Sequence, residues 1–110
     1  MDIDIEAIRE RVVRGDYFIL SHAVMHGLKE GFAPQDIVSA VLNGKIIEEY
    51  PAAHRVLVCG RVELMQNVSV YLHVVCEYAD PASVAFVTAY LPDEKQWGNP
   101  PLARRRKSRK

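Results

Sequence analysis

Cysteine is nearly absent: Cys59 and Cys76 are the only two in the chain. Each sits in an apolar, strand-like run, Val56-Leu57-Val58-Cys59 and Val74-Val75-Cys76. That placement reads as two free thiols in a core rather than a disulfide framework. No Cys-x-x-Cys pair occurs, so a zinc site of that kind is excluded. No apolar run approaches the roughly 18 residues that a membrane span needs. The first 20 residues are acidic and amphipathic, without the basic start and apolar block of a secretory leader. The expectation is a cytoplasmic protein with no membrane partner. A Gly-rich phosphate loop is also lacking, since Leu42-Asn43-Gly44-Lys45 is only a helix end. There is no Asp/Glu cluster of the metal-dependent nuclease type and no cofactor motif, so neither metal nor cofactor is expected.

What is present is ordinary for a globular domain: 49% apolar and 25% charged residues in a chain of 110. That length supports one core. The formal net charge of zero hides a division. Residues 1–103 carry 14 acidic and 8 basic side chains, a net of −6, and residues 104–110 add +6. We therefore expect a single acidic domain over 1–103 and a basic, disordered tail over 104–110. Such a tail is either solvated, a ligand for a phosphate backbone, or a dock for an acidic partner.

Periodicity places helices first. Ile5, Ile8, Val12 and Val13 recur at helical spacing over Asp4–Arg14, and Gly15-Asp16 ends that run. Tyr17–Leu20 is a short strand or an extended link. Ser21 is a candidate N-cap for a second helix, which Gly31 ends. Pro34 opens a third helix behind a weak cap at Ala33, and Asn43-Gly44 closes it. Strands follow. Lys45–Tyr50 is an edge strand stopped by Pro51. Arg55–Gly60, Tyr71–Tyr78 and Val84–Tyr90 are the others, the last two joined by a turn at Asp80-Pro81. Arg61–Val70 is ambiguous, with Asn67 its best turn. The fold class is α+β: N-terminal helices packed on one face of a four- to five-stranded antiparallel sheet, with the opposite face left for function.

The chemistry-bearing side chains are His22, His26, Arg55, His73, Thr88, Tyr90, Lys95 and Trp97. His22 and His26 share a helix face, yet the metalloprotease glutamate is replaced by Ala23. His22 follows the helix start. His26 is either an ordinary hydrogen-bonded imidazole or a substrate contact. His73 alternates with Tyr71 and Val75 on one strand, and Thr88 with Tyr90 on the next. Trp97 is either a core plug or a base-stacking platform. Taken together, the set suits metal-independent RNA cleavage. The reaction needs a base, an acid and a cation: His22 and His73 for proton transfer, Tyr90 to orient or donate, and Arg55 against phosphate charge. His26, Thr88, Lys95 and Trp97 are the substrate-binding candidates.

Several spaced segments carry a family resemblance. They are Ser21-His22-Ala23, Glu30-Gly31-Phe32, Asp36-Ile37-Val38, Gly44-Lys45-Ile46-Ile47-Glu48 and Tyr50-Pro51. Further on come Arg55-Val56-Leu57-Val58-Cys59-Gly60, Leu72-His73-Val74-Val75 and Thr88-Ala89-Tyr90-Leu91-Pro92-Asp93, with Trp97. Over residues 5–107 the chain resembles a bacterial and archaeal family, domain of unknown function 4258. Many relatives have an arginine where this chain has His26, which would clamp phosphate only when protonated. The family is similar to RelE-like and barnase-like ribonuclease toxins. The resemblance implies a toxin that cleaves mRNA, free or on the ribosome, partnered by a zinc-finger antitoxin of the kind that pairs with the MqsR toxin. The alternative is a non-catalytic protein-binding module, which the acidic body and the missing arginine favour.

Overall fold

The computed structural model describes residues 3–65 and 67–105. Helix α1 covers Ile5–Val13, and Asp4 caps it by accepting from the Glu6 amide at 3.0 Å. Strand β1 follows at Tyr17–Ile19, then α2 at Ser21–Glu30 and α3 at Pro34–Asn43. The cap of α2 is Leu20 and not Ser21, which is the first helical residue. Leu20 keeps extended backbone while its carbonyl accepts from Ala23 and Val24. Gly31 ends α2 in the left-handed region at φ 94°. Asp36 reaches back to the Ala33 amide at 2.7 Å and so supports the weak start of α3.

The remaining strands are β2 (Lys45–Tyr50), β3 (Arg55–Met65), β4 (Val68–Glu77) and β5 (Val84–Tyr90). A short 3-10 turn at Pro51–Ala53 joins β2 to β3. The ambiguous stretch Arg61–Val70 is the far half of one long hairpin. β3 and β4 run on past the predicted ends and turn at Asn67, which has φ 65°. Asp80 makes the next turn by accepting from the Ala82 amide at 2.8 Å. Arg11 of α1 holds that turn through the carbonyls of Asp80 and Ser83, at 3.2 and 3.0 Å.

The five strands form one sheet in the order β1-β5-β4-β3-β2. It is mixed and not antiparallel, because β1 pairs with β5 in parallel, Tyr17 opposite Val84 and Ile19 opposite Phe86. The direction follows from what comes next: β1 leads directly into α2, which must run over β5. Three residues are also too few to show a period. β2 is an edge strand, with a register shift between Ile46 and Glu48.

Alternation divides the sheet faces. Val56, Val58, Val62, Leu72, Val74, Cys76, Val84, Phe86 and Ala89 face the helices and meet Ile8, Ile37, Ala40 and Val41 in one buried cluster. Leu57, Cys59, His73 and Tyr90 point the other way. That second face was expected to stand open. Its middle is instead covered by a C-terminal strap over 93–105, which brings buried Trp97 onto it. The strap is a small hairpin: the Gly98 amide donates to Ala103 and the Arg105 amide to Gln96. Arg104, expected at the start of the tail, bridges to Trp97, so the strap continues past residue 103. Residues 106–110, the rest of the expected basic tail, lie outside the described residues. Both cysteines are free and buried. No helix among the described residues is long and apolar enough to cross a membrane.

Gly60 sets how closely α3 approaches β3. A Cβ there would lie 2.0 Å from the Ala40 carbonyl oxygen and 2.6 Å from its Cα, with only backbone to yield. Gly60→Ala is expected to cost about 3 kcal/mol, read as a lowered urea midpoint. Gly98→Ala is the control, because its nearest new contact is an ordinary 3.5 Å. Equal midpoints for the two variants would refute the close approach.

Candidate functional site

His73 lies at the centre of the strap-covered face and is fully buried. Its Nε2 donates to the Pro101 carbonyl at 2.8 Å, and its Nδ1 lies 3.3 Å from the Tyr90 hydroxyl. This pattern fits a neutral imidazole with Nε2 protonated and Tyr90 donating to Nδ1. Burial pushes the His73 pKa below 6.5, the Pro101 bond and the nearby Glu48 opposing that shift and Arg104 adding to it. Trp97 meets the imidazole edge-on at a centroid distance of 4.5 Å.

Arg104 closes the site from above. Its guanidinium lies 4.5 Å from the Trp97 ring centroid, and its Nε donates to Glu48 at 2.8 Å. The Tyr50 hydroxyl donates to the same carboxylate. The Arg104 hydrogen bond holds the Glu48 carboxyl below its ordinary value of 4.5 against the opposing effect of burial. Burial, then the bond to Glu48, raises the Tyr50 phenol. Tyr90 is pushed up to about 12, mainly by burial, and also feels Tyr50, Arg104 and Glu48. The patch thus presents an ionised carboxylate, two protonated phenols and a cation around a buried neutral imidazole.

The expected site residues do not all meet here. His73, Tyr90 and Trp97 do, but Trp97 is only 2% exposed. It is the core plug, sealed between His73 and Arg104, and has no face free for a base. Arg55 pairs with Glu77 at 3.3 Å. In the β3–β4 register it lies four residues from Cys59, the partner of His73, hence about 13 Å away along the strand, yet the β2–β3 register sets it directly opposite Tyr50 at the edge of the patch. His22 is exposed on α2, on the helix side of the sheet. Its ring stacks on His26 at 5.8 Å. His26 Nδ1 donates to the Ala89 carbonyl at 2.8 Å, and its Nε2 lies 3.3 Å from Glu30. Glu30 in turn accepts from the Leu91 amide at 2.9 Å. That chain ties α2 to the end of β5. Thr88 lies on the His73 face opposite Val75, half-buried. Lys95 is exposed at the start of the strap.

Glu48, Tyr50 and Arg104 escaped sequence reasoning. Glu48 and Tyr50 stand two apart on an edge strand, which already places them on one face. Arg104 was hidden in a run of basic residues. Among the described residues, no three His, Cys, Asp or Glu side chains gather as metal ligands.

The family profile described as domain of unknown function (DUF4258) matches residues 19–91. The chain belongs to the DUF4258 family. The family segment runs from the end of β1 through β5 and includes Glu48, Tyr50, His73 and Tyr90. It is shorter than the 5–107 span suggested by resemblance, and it leaves α1, Trp97 and Arg104 outside. No curated protein and no solved structure matches the chain.

His73 makes stability depend on pH. Its folded-state pKa is depressed, so the unfolded chain takes up the proton first as pH falls. Its contribution is complete above about 6.5 and is lost progressively below that value. The urea midpoint of the wild type is expected to fall between pH 7 and 5 more steeply than that of His73→Gln. Parallel profiles would show that His73 does not titrate on unfolding.

Proposed function

We propose that this domain is a metal-independent endoribonuclease, the toxin half of a toxin–antitoxin pair acting in the cytoplasm. The observation that carries the reading is the gathering of Glu48, Tyr50, Tyr90 and Arg104 on one patch of the strap-covered face. These residues supply the base, proton donor and cation that transesterification of RNA requires. In the proposed reaction, Glu48 takes the proton from a ribose 2′-hydroxyl. The 2′-oxygen attacks the adjacent phosphorus, and the bond from phosphorus to the 5′-oxygen breaks. Arg104 turns from Glu48 to the phosphate oxygens as their charge grows. Tyr50, the more exposed phenol, gives its proton to the departing 5′-oxygen. Tyr90, whose hydroxyl donates to His73, lines the patch beside the phosphate. His73 is then a positioning residue and not the base. The resemblance to RelE-like, barnase-like and MqsR-like toxins supports the same reading, with mRNA, free or on the ribosome, as substrate and a zinc-finger antitoxin as partner.

A second reading, a non-catalytic protein-binding module, is favoured by one observation. Both ring nitrogens of His73 are engaged, and the imidazole is closed off beneath the strap.

Inducible expression in a bacterium, wild type beside Glu48→Gln, separates the two readings through growth and mRNA integrity. The ribonuclease reading expects arrest and mRNA loss in the wild type only. With purified protein, Glu48→Gln is expected to slow RNA cleavage by about 10²–10⁴-fold. The acid limb of wild-type kcat/KM, which reports the free enzyme with Arg104 on Glu48, should lie below pH 4.5, because Glu48 is lowered from that value. A limb in the histidine range would remove Glu48 from the role of base. Healthy growth and intact mRNA with soluble wild-type protein would leave the binding module.

A further inference from the structure

The same face continues past His73 to an aromatic–cation pair that the proposed reaction does not use. Register places Arg61 of β3 opposite Tyr71 of β4, two residues beyond the Cys59–His73 pair and so about 7 Å along the strands. The Arg61 guanidinium lies 4.9 Å from the Tyr71 ring centroid. Asn43, at the end of α3, fixes the Arg61 backbone twice: its Oδ1 accepts from the Arg61 amide and its Nδ2 donates to the Arg61 carbonyl, both at 2.9 Å. Hollows flank Tyr71 on both sides. One, of about 280 Å³, lies between Tyr71, Arg61, Lys45 and Leu102. The other, of about 230 Å³, lies between Tyr71, Pro92, Asn99 and Pro101.

Lys45 and Arg61 are exposed. Among the described residues neither enters an ion pair. The nearest carboxylate along the strand on this face is Glu63, opposite Ser69, and Glu94 lines the far side of the second hollow, away from Lys45 and Arg61, which line the first. Two cations on an otherwise acidic body, set around an aromatic ring between two hollows, match the parts of a nucleotide. The ring and the planar guanidinium offer stacking surface to an unpaired base, and the charges meet its phosphate. We infer that Tyr71, Arg61 and Lys45 form a subsite for an unpaired nucleotide of single-stranded RNA, an inference that rests on the ribonuclease reading. The subsite lies four residues along β3 from Leu57, the partner of Glu48, about 13 Å away, so it would hold a nucleotide about two positions from the cleaved bond.

The test is fluorescence anisotropy of the whole chain with a short fluorescein-labelled oligoribonucleotide made uncleavable by 2′-O-methyl groups. RNA cleavage is followed in parallel. Tyr71→Ala and Arg61→Gln are each expected to weaken binding about tenfold, while Tyr71→Phe binds like the wild type. Lys45→Ala should reduce the slope of log affinity against log salt by about 0.7. Arg14→Ala, on the helix side, should change neither. If the wild type binds and cleaves while Tyr71→Ala and Arg61→Gln bind as tightly as it does, the subsite falls and the ribonuclease reading stands. If the wild type neither binds nor cleaves, both fall. Displacement of the oligonucleotide by polyglutamate at equal charge concentration would show a general anion surface and overturn the subsite.

Discussion

A single sheet has two faces to protect from water, and this chain has helices enough for one. The second face depends on the hydrogen bond from His73 to Pro101. A fully buried imidazole needs a partner at each nitrogen, or the loss of hydration goes uncompensated. Tyr90 meets one nitrogen, and the carbonyl of Pro101 meets the other. Once that carbonyl is in place, the strap is held over the sheet, Trp97 fills the space beside the imidazole, and Arg104 reaches Glu48. The packing of the strap and the composition of the candidate site are thus consequences of one another. A change that charged His73 would strain both together.

This coupling also explains why the exposed chemistry differs from the expected chemistry. Histidine and tryptophan attract notice in a sequence because both have reactive or stacking uses. Here they are the inner layer, and the groups nearer solvent are a carboxylate, phenols and a guanidinium resting on that layer. A neutral imidazole beneath two tyrosines and an ion pair changes their surroundings without meeting solvent itself.

Much of the fold was legible. The helix boundaries followed from Asp4, Gly31, Pro34 and Gly44, and β5 followed from its apolar run between a turn and a proline. The parallel β1 was not legible, because its direction is set by where α2 must lie and not by any local period. Arg61–Val70 hid a continuous hairpin because charged and polar residues interrupt its outward positions, where the sheet meets water. Within the site, strand alternation assigned His73 and Tyr90 each to a strand face, but their pairing across β4 and β5 depends on register. Arg55 could not be excluded that way, since its separation from His73 depends on register. Trp97 was ambiguous because burial of a residue beyond the last strand is a tertiary fact. Arg104 was read with its basic neighbours, although its role comes from a partner 56 positions away in the chain.

The two outer strands bear on how copies of this domain meet. An unpaired strand edge is a template on which a second chain can align. On one side the sheet stops at β1, a strand of only three residues. On the other it stops at β2, whose register shift near Ile47 breaks the even spacing of backbone donors and acceptors. Neither border strand offers a long, regular row of hydrogen-bonding groups. The far half of the β3–β4 hairpin, however, runs past the ends of both β2 and β5, and an added strand would align on the edges that those two strands leave uncovered there.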